Sequence, residues 1–241
     1  MIKYNYVPKK TTTPTREIDK LKDGYYNLRN EILSYFNNYK KKHPNNTQKD
    51  DPRSFLLANP IQLLSIQRTN FELLDKSILN DEFWKLNSDK VIETKFNAEY
   101  HQLFFKFSFF ILIIGHFESN LRKIESLIMN KVENQSFRPI VKIYKNIIST
   151  LKISSAEKES IITFLDLMFT LRNSIHNNAE FYPYDKSDRT IDYKGEKYEF
   201  KVGEPILYYG YEQTLFFVKE LFEFIKIILC DNDINSATFN P

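Results

Sequence analysis

The segment "SSAEKESIITFLDLMFTLRNSIHNN" (residues 154–178) decides the fold class, because it contains both the start and the end of one helix. Ser154 offers a hydroxyl at the N-cap position and Glu157 a carboxylate three residues later, the pattern of a capping box. The helix is expected to end near Asn177, since asparagine tolerates the left-handed conformation that follows helix ends. Apolar residues recur between these points at helical spacing and predict one buried stripe: Ile161, Leu165, Met168, Leu171 and Ile175.

Helical patterns also occupy most of the remaining chain. The whole sequence has only five glycines, and they are isolated, which favours helices over a many-turned β fold. Pro60 suits the first turn of a helix, so a helix start is expected there. The spacing of apolar residues predicts further helices at 15–42, 94–131, 137–151 and 210–229, with shorter helical pieces between 53 and 90.

The segment "TIDYKGEKYEFKVG" (190–203) departs from the helical pattern, because its apolar residues alternate. Lys194-Gly195 lies between the two alternating runs, which predicts a β-hairpin. The fold class is therefore mainly α, a helical bundle with a small β-hairpin insertion before the last helix. Residues 1–90 are expected to form a basic N-terminal arm and helical extension, and residues 91–241 the bundle.

Positive charge is concentrated at the start of the chain. Residues 1–42 carry a net charge of +6, and the whole chain carries +3, so the remainder carries −3. Lys40, Lys41 and Lys42 end the first predicted helix and are candidate RNA contacts, because clustered lysines attract phosphates. The alternative is a solvated helix face without a binding role.

The sequence gives no sign of secretion or of a membrane span. Cys230 is the only cysteine, which excludes a disulfide framework and a thiolate zinc site. The apolar run "LFFKFSFFILIIG" (103–115) is shorter than the roughly 20 residues of a transmembrane helix and contains Lys106. We expect a deeply buried helix there, no membrane partner and a cytoplasmic protein.

Arg172 and His176 stand four residues apart at the end of the capped helix. Such positions differ by about 40° in azimuth, so both side chains project from the flank of the buried stripe. A cation and an imidazole at this border suit a cleft or a partner surface. The alternative is a structural helix end, in which His176 complements the helix dipole and Arg172 bridges to an acidic residue of a neighbouring helix.

The order of helix, "RNSIHNN", hairpin and final helix over residues 95–230 resembles the HEPN superfamily. Those domains are compact α-helical bundles that usually dimerise, and many are metal-independent ribonucleases of toxin–antitoxin, antiphage and RNA-processing systems. Their signature is an arginine, often followed by a polar residue, and then a histidine after four to six intervening positions. Arg172, Asn173 and His176 match it with three intervening residues, one fewer than usual. Several HEPN-like groups of unassigned activity look similar to this shorter form.

The resemblance implies RNA cleavage that needs neither metal nor cofactor, because RNA supplies its own nucleophile. Histidine has an unperturbed pKa of about 6.5, which suits proton transfer near neutral pH, and arginine has a fork of donors for phosphate oxygens. His176 is then the general acid or base, Arg172 the transition-state clamp, and Asn173 an orienting group. The implied partners are RNA, a second copy of the chain, and a neighbouring defence or antitoxin protein.

Related domains often place polar residues of a preceding helix near the motif, which makes Glu118 and Arg122 supporting candidates. The alternative for this pair is a surface ion pair between helix positions four apart. Asn177 is a further supporting residue at the helix end. Tyr182, in "FYPY" (181–184), could stack on bases, although packing against the hairpin is the alternative.

Two other functions stay open on the sequence. The first is a non-catalytic HEPN-like module that dimerises, or binds RNA or nucleotide, and serves a partner protein. The second is a structural helical protein whose apolar helix at 103–115 docks a partner.

Overall fold

The computed structural model of the chain describes residues 14–48, 50–77, 80–86, 91–129, 138–208 and 210–239. The predicted arm before residue 14 lies outside the described residues. Within these ranges the chain is mainly helical, with one two-stranded antiparallel hairpin. The helices are α1 (Pro14–Lys42), α2 (Pro52–Lys76), α3 (Asp81–Leu86), α4 (Val91–Met129), α5 (Ile140–Thr150), α6 (Ser155–His176), α7 (Tyr211–Cys230) and α8 (Asn232–Ser236).

The predicted capping box forms at the start of α6. The Glu157 backbone N–H donates to Ser154 Oγ at 3.2 Å, and the Ser154 N–H donates to Glu157 Oε2 at 3.0 Å. These reciprocal bonds satisfy two of the backbone donors that a helix start leaves unpaired. The mainly α fold class and the start of this helix are therefore confirmed.

The predicted hairpin pairs β1 (Arg189–Tyr193) with β2 (Glu196–Phe200), and Ile191 faces Tyr198. Lys194 and Gly195 form the turn with φ angles of 51° and 84°. Two successive positive φ values match the right-handed twist of the strands, as in the favoured two-residue hairpin turns. The apolar side chains of both strands are buried, so this small sheet has one face on the core.

The predicted short pieces between 53 and 90 are wrong over most of that range. α2 is a single helix of 25 residues that begins at Pro52, and Pro60 lies inside it. Asp51 caps the helix by accepting from the Arg53 N–H at 2.9 Å, so the helix starts eight residues before Pro60. Pro60 has no N–H to donate to the Leu56 carbonyl, and the helix continues because packing on both sides retains it.

One hydrophobic cluster joins the helices on either side of residue 90. α1 packs against α2 and α7, α2 also packs against α4, and α4 packs against α5, α6 and α7. At the crossing of α1, α2 and α7 the Tyr25 ring lies 5.1 Å from Phe71, and Tyr25 Oη donates to the Tyr211 carbonyl at 2.9 Å. The proposed division of the chain near residue 90 stays a prediction.

A fully buried ion pair connects the start of α2 with α8. Asp51 and Arg53 are 0% and 1% exposed, and the Arg53 guanidinium donates to both carboxylate oxygens at 2.6 and 2.9 Å. Arg53 Nη1 also donates to the carbonyls of Ile234 and Ala237 at 2.9 and 2.8 Å. Arg53 therefore satisfies carbonyls that the short helix α8 leaves without partners.

α4 contains the apolar run and is buried along one side only. Phe109, Ile113 and Phe117 lie in the core, whereas Phe104 and Leu112 are exposed. By length and composition, Tyr100–Met129 could cross a membrane, 28% of its most apolar window is buried, and a single such helix is weak support for a span. The deeply buried helix expected from the sequence is therefore buried along one side only.

Candidate functional site at the end of α6

The end of α6 is held in place by its own carbonyls and by the chain that follows the hairpin. The Asn177 N–H donates to the carbonyls of Asn173 and Ser174 at 3.2 and 3.0 Å. Asn178 and Ala179 then adopt positive φ angles of 58° and 63°, and the Ile206 N–H donates to the Ala179 carbonyl at 2.8 Å. The predicted helix end near Asn177 is confirmed, and the segment after β2 fixes its exit.

Arg172 lies beside α4 with part of its guanidinium unused. Its Nη2 is 3.5 Å from Glu118 Oε2, and its Nη1 donates to Asn173 Oδ1 at 3.0 Å. Its Nε is buried without a hydrogen-bond partner, and the side chain as a whole is 30% exposed. Nη1 and Nη2 each carry a second N–H that no described hydrogen bond uses, and these N–H groups remain as donors for an acceptor such as a phosphate oxygen.

Glu118 and Arg122 form the predicted pair, and the pair belongs to a larger array. Arg122 Nη2 and Nε donate to Glu118 Oε1 at 2.6 and 3.2 Å, and Arg122 Nη1 donates to the Arg138 carbonyl at 2.9 Å. The Glu118 carboxylate is 16% exposed and lies between the guanidinium groups of Arg122 and Arg172. The structure therefore brings both supporting candidates, Glu118 and Arg122, close to Arg172. The alternative of an isolated surface ion pair is wrong, because Glu118 contacts both arginines.

Glu125 extends the same array and was not assigned a role from the sequence. It is 1% exposed, forms an ion pair with Arg138, and accepts from Asn146 Nδ2 at 2.7 Å. Its spacing of seven residues from Glu118 places both carboxylates on one side of α4. The spacing of seven residues could have indicated that Glu125 lies beside Glu118. Its partners, Arg138 before α5 and Asn146 on α5, cannot be recognised from the local sequence.

His176 is the last residue of α6, and its imidazole is exposed. Among the residues that the structure describes, no side-chain hydrogen bond or ion pair involves His176. Asn173 and Asn177 are also exposed, and Asn173 Oδ1 accepts from Arg172. His176 is one helical turn from Arg172, so the two side chains can reach a common ligand from one side of the helix.

The predicted RNA contacts lie in two places. Tyr182 is exposed and donates from Oη to Glu180 Oε2 at 2.8 Å, a hydrogen bond that raises the pKa of the Tyr182 phenol. Lys40, Lys41 and Lys42 form the exposed last turn of α1, where Lys40 Nζ lies 4.1 Å from the centre of the Phe36 ring. α1 packs against α2 and α7, whereas α6 packs against α4, α5 and β1. No described hydrogen bond or ion pair joins the three lysines to α6.

A small groove lies between α2, α4 and α7. It is lined mainly by apolar side chains, with His116 and Asn120 on α4, and none of the predicted site residues lines it. Over the part of the chain that the structure describes, no group of three His, Cys, Asp or Glu side chains could hold a metal ion.

Comparison of the chain with protein-family models, curated proteins and solved structures gives no match. The resemblance to the HEPN superfamily therefore stays a prediction.

Proposed function

We propose that this chain is a HEPN-like, metal-independent endoribonuclease of an antiphage defence or toxin system. One observation carries the proposal: a partly unsaturated guanidinium, Arg172, lies one helical turn from the exposed imidazole of His176. Arg122 adds a second cation on the far side of Glu118. A cation and a titratable imidazole are the groups that phosphodiester cleavage by the RNA 2′-hydroxyl requires.

In this mechanism His176 takes the proton of the ribose 2′-hydroxyl while O2′ attacks the adjacent phosphorus. The bond from phosphorus to O5′ breaks, and the leaving oxygen receives a proton from an imidazolium, for which a second copy of the chain supplies the same residue. Arg172 donates to the non-bridging oxygens, where negative charge develops. The products are a 2′,3′-cyclic phosphate and a 5′-hydroxyl.

Glu118 and Asn173 orient the clamp in this proposal. The Glu118 carboxylate contacts Arg172 from the α4 side, and the Asn173 amide oxygen accepts from Nη1. These contacts fix the orientation of the Arg172 guanidinium and leave some of its N–H donors unused. Asn177 supports His176 by closing the last turn of the helix. These residues act on the position of Arg172 and His176 and need not touch the substrate.

The partners proposed with this activity are single-stranded RNA, a second copy of the chain and a neighbouring defence or antitoxin protein, in the cytoplasm. Tyr182 is positioned a few residues beyond His176 and offers an exposed ring for base stacking. Lys40, Lys41 and Lys42 are proposed to contact phosphates outside the cleaved nucleotide.

Cleavage of single-stranded RNA by the purified chain in EDTA tests the proposal. We expect 2′,3′-cyclic phosphate ends, and a loss of at least about 10²-fold in rate for H176A and for R172A. His101 on α4 and Arg68 on α2 are exposed and give matched controls, H101A and R68A, which should cleave like the unchanged chain. Cleavage that survives both H176A and R172A would contradict the proposal.

A non-catalytic module that binds RNA or nucleotide is the second candidate, and the Glu118–Arg172 ion pair favours it. In that role Arg172, held by Glu118, contacts a phosphate, and His176 transfers no proton. In that case the chain binds labelled RNA without cleaving it, and H176A binds as tightly as the unchanged chain.

A further inference from the structure

A second polar cluster lies inside the core, where α2 meets the start of α7. Gln67 and Asn70 are 1% and 2% exposed, and all four of their amide nitrogen and oxygen atoms are buried without a hydrogen-bond partner. The Tyr211 hydroxyl is also buried without a partner. Burial raises the pKa of Tyr211 to about 12, and hydrogen-bonding contacts from the side-chain amides of Asn70 and Gln67 lower it. The three side chains therefore lie within hydrogen-bonding reach of one another, although none of these contacts has the geometry of a full hydrogen bond.

Native proteins rarely leave such groups unpaired. More than about nine in ten buried polar groups have a partner, and each one without a partner destabilises the fold. Here five such atoms belong to three neighbouring side chains. The contacts among the three side chains do not reach full hydrogen-bond geometry, which leaves hydrogen-bonding capacity for a bound species.

Lys106 on α4 lies next to the same cluster. Its Nζ is 4.7 Å from the centre of the Tyr211 ring, and burial lowers the pKa of the ammonium. Among the described residues, no carboxylate forms an ion pair with Lys106. Its ammonium makes a cation–π contact with the Tyr211 ring. A half-buried cation without a counter-charge favours an anionic neighbour.

The hydrogen-bonding capacity of the cluster identifies the class of ligand. The two amide nitrogens, the phenol and the ammonium carry more N–H and O–H donors than the two amide oxygens can accept. The excess of donors calls for a ligand that is rich in acceptors.

We propose that Gln67, Asn70, Lys106 and Tyr211 form a binding site for a small oxyanion, either a carboxylate or a phosphate group. The oxyanion accepts from Lys106 Nζ, from the Tyr211 hydroxyl and from the two amide NH₂ groups. Lys106 and Glu118 are twelve residues apart on α4, about 18 Å along the helix axis. The site is therefore separate from the Arg172 array and does not depend on RNA cleavage.

Thermal unfolding of the full chain in phosphate, acetate or chloride at equal ionic strength tests this site. We expect the preferred oxyanion to raise Tm by about 2–4 °C at roughly five times its Kd, and chloride to leave Tm unchanged. The acetate and phosphate arms distinguish a carboxylate site from a phosphate site. K106Q and Y211F should lose the shift, whereas K219Q, which changes an exposed lysine on α7, should keep it.

Equal shifts in K106Q and in the unchanged chain would overturn the proposal, because they would reflect general salt stabilisation. A second measurement does not depend on the variants folding. The side-chain NH₂ signals of Gln67 and Asn70 in the unchanged chain should move on titration with the preferred oxyanion. If these signals stay fixed in both phosphate and acetate, no oxyanion binds there.

Discussion

Arg53 and Arg172 are both arginines paired with a carboxylate, yet they use their guanidinium groups differently. Arg53 donates from all three nitrogens, to Asp51 and to carbonyls around α8, and the pair is excluded from water. Arg172 contacts Glu118 at 3.5 Å, donates to its neighbour Asn173, and keeps on each of Nη1 and Nη2 an N–H that no described hydrogen bond uses. One guanidinium is saturated by the protein, and the other is held in place with donors to spare.

The difference separates a structural role from a binding role on physical grounds. A saturated, buried arginine cannot accept a ligand without breaking bonds that stabilise the fold. A partly exposed arginine with spare donors can bind a phosphate at little cost to the fold. Stability and activity measurements on matched variants can therefore test the comparison.

The largest effect on stability is expected for R53A. The substitution leaves the Asp51 charge buried without its partner, which typically costs about 3–5 kcal/mol of unfolding free energy. Tm should fall by about 6–20 °C in thermal unfolding followed by circular dichroism. If Tm fell by less than about 2 °C, Arg53 would not have the structural role that distinguishes it from Arg172.

E125Q should give an intermediate effect. Glu125 is as buried as Asp51, but its partner Arg138 is 33% exposed and can turn to water when the charge is removed. The neutral amide can still accept from Asn146, so we expect a loss of about 1–3 kcal/mol in urea unfolding. If E125Q lost as much unfolding free energy as R53A, the array around Arg172 would be structural, like the Asp51–Arg53 pair.

R172A should destabilise the fold by less than about 1 kcal/mol, because Arg172 is partly exposed and its ion pair is long. RNA cleavage by the same variant should nevertheless be lost. Urea unfolding and a cleavage assay on one preparation measure both quantities. If the unfolding free energy of R172A falls so far that the variant is largely unfolded under the assay conditions, the loss of cleavage reflects unfolding. The role of Arg172 is then structural.

The smallest effect concerns Glu157 at the start of α6 and depends on pH. Hydrogen bonds from the Ser154 hydroxyl and backbone N–H hold the pKa of Glu157 below its usual value. Its contribution is therefore complete above the unfolded pKa, about 4.3, and is lost as the pH falls through the lower folded pKa. The Tm difference between E157Q and the unchanged chain should shrink across this window. A difference that stays constant from pH 6 to pH 3 would contradict the capping box.

Local signals in the sequence predicted the elements that they encode. Ser154, Glu157 and Asn177 predicted both ends of α6, and Lys194-Gly195 predicted the hairpin turn, because caps and turns depend on neighbouring residues. Pro60 was misplaced, since its fit to a helix start said nothing of the stronger cap at Asp51.

For contacts between residues far apart in the sequence, only the type of contact could be predicted, and the partner residue could not. The sequence suggested that Arg172 bridges to an acidic residue of a neighbouring helix and, separately, that Glu118 lies near the motif. That Glu118 is that acidic residue depends on how α4 packs against α6. The carbonyl partners of Arg53 lie about 180 residues later and leave no local pattern to recognise.

The same long separation has a consequence during synthesis on the ribosome. Arg53 emerges early, but its carbonyl partner Ile234 follows 181 residues later. At about 5–20 residues per second, roughly 10–40 s of translation separate the two. During that interval the beginning of α2 carries a charged side chain without its final partners, so α1 and α2 should remain accessible to chaperones until α8 has left the exit tunnel.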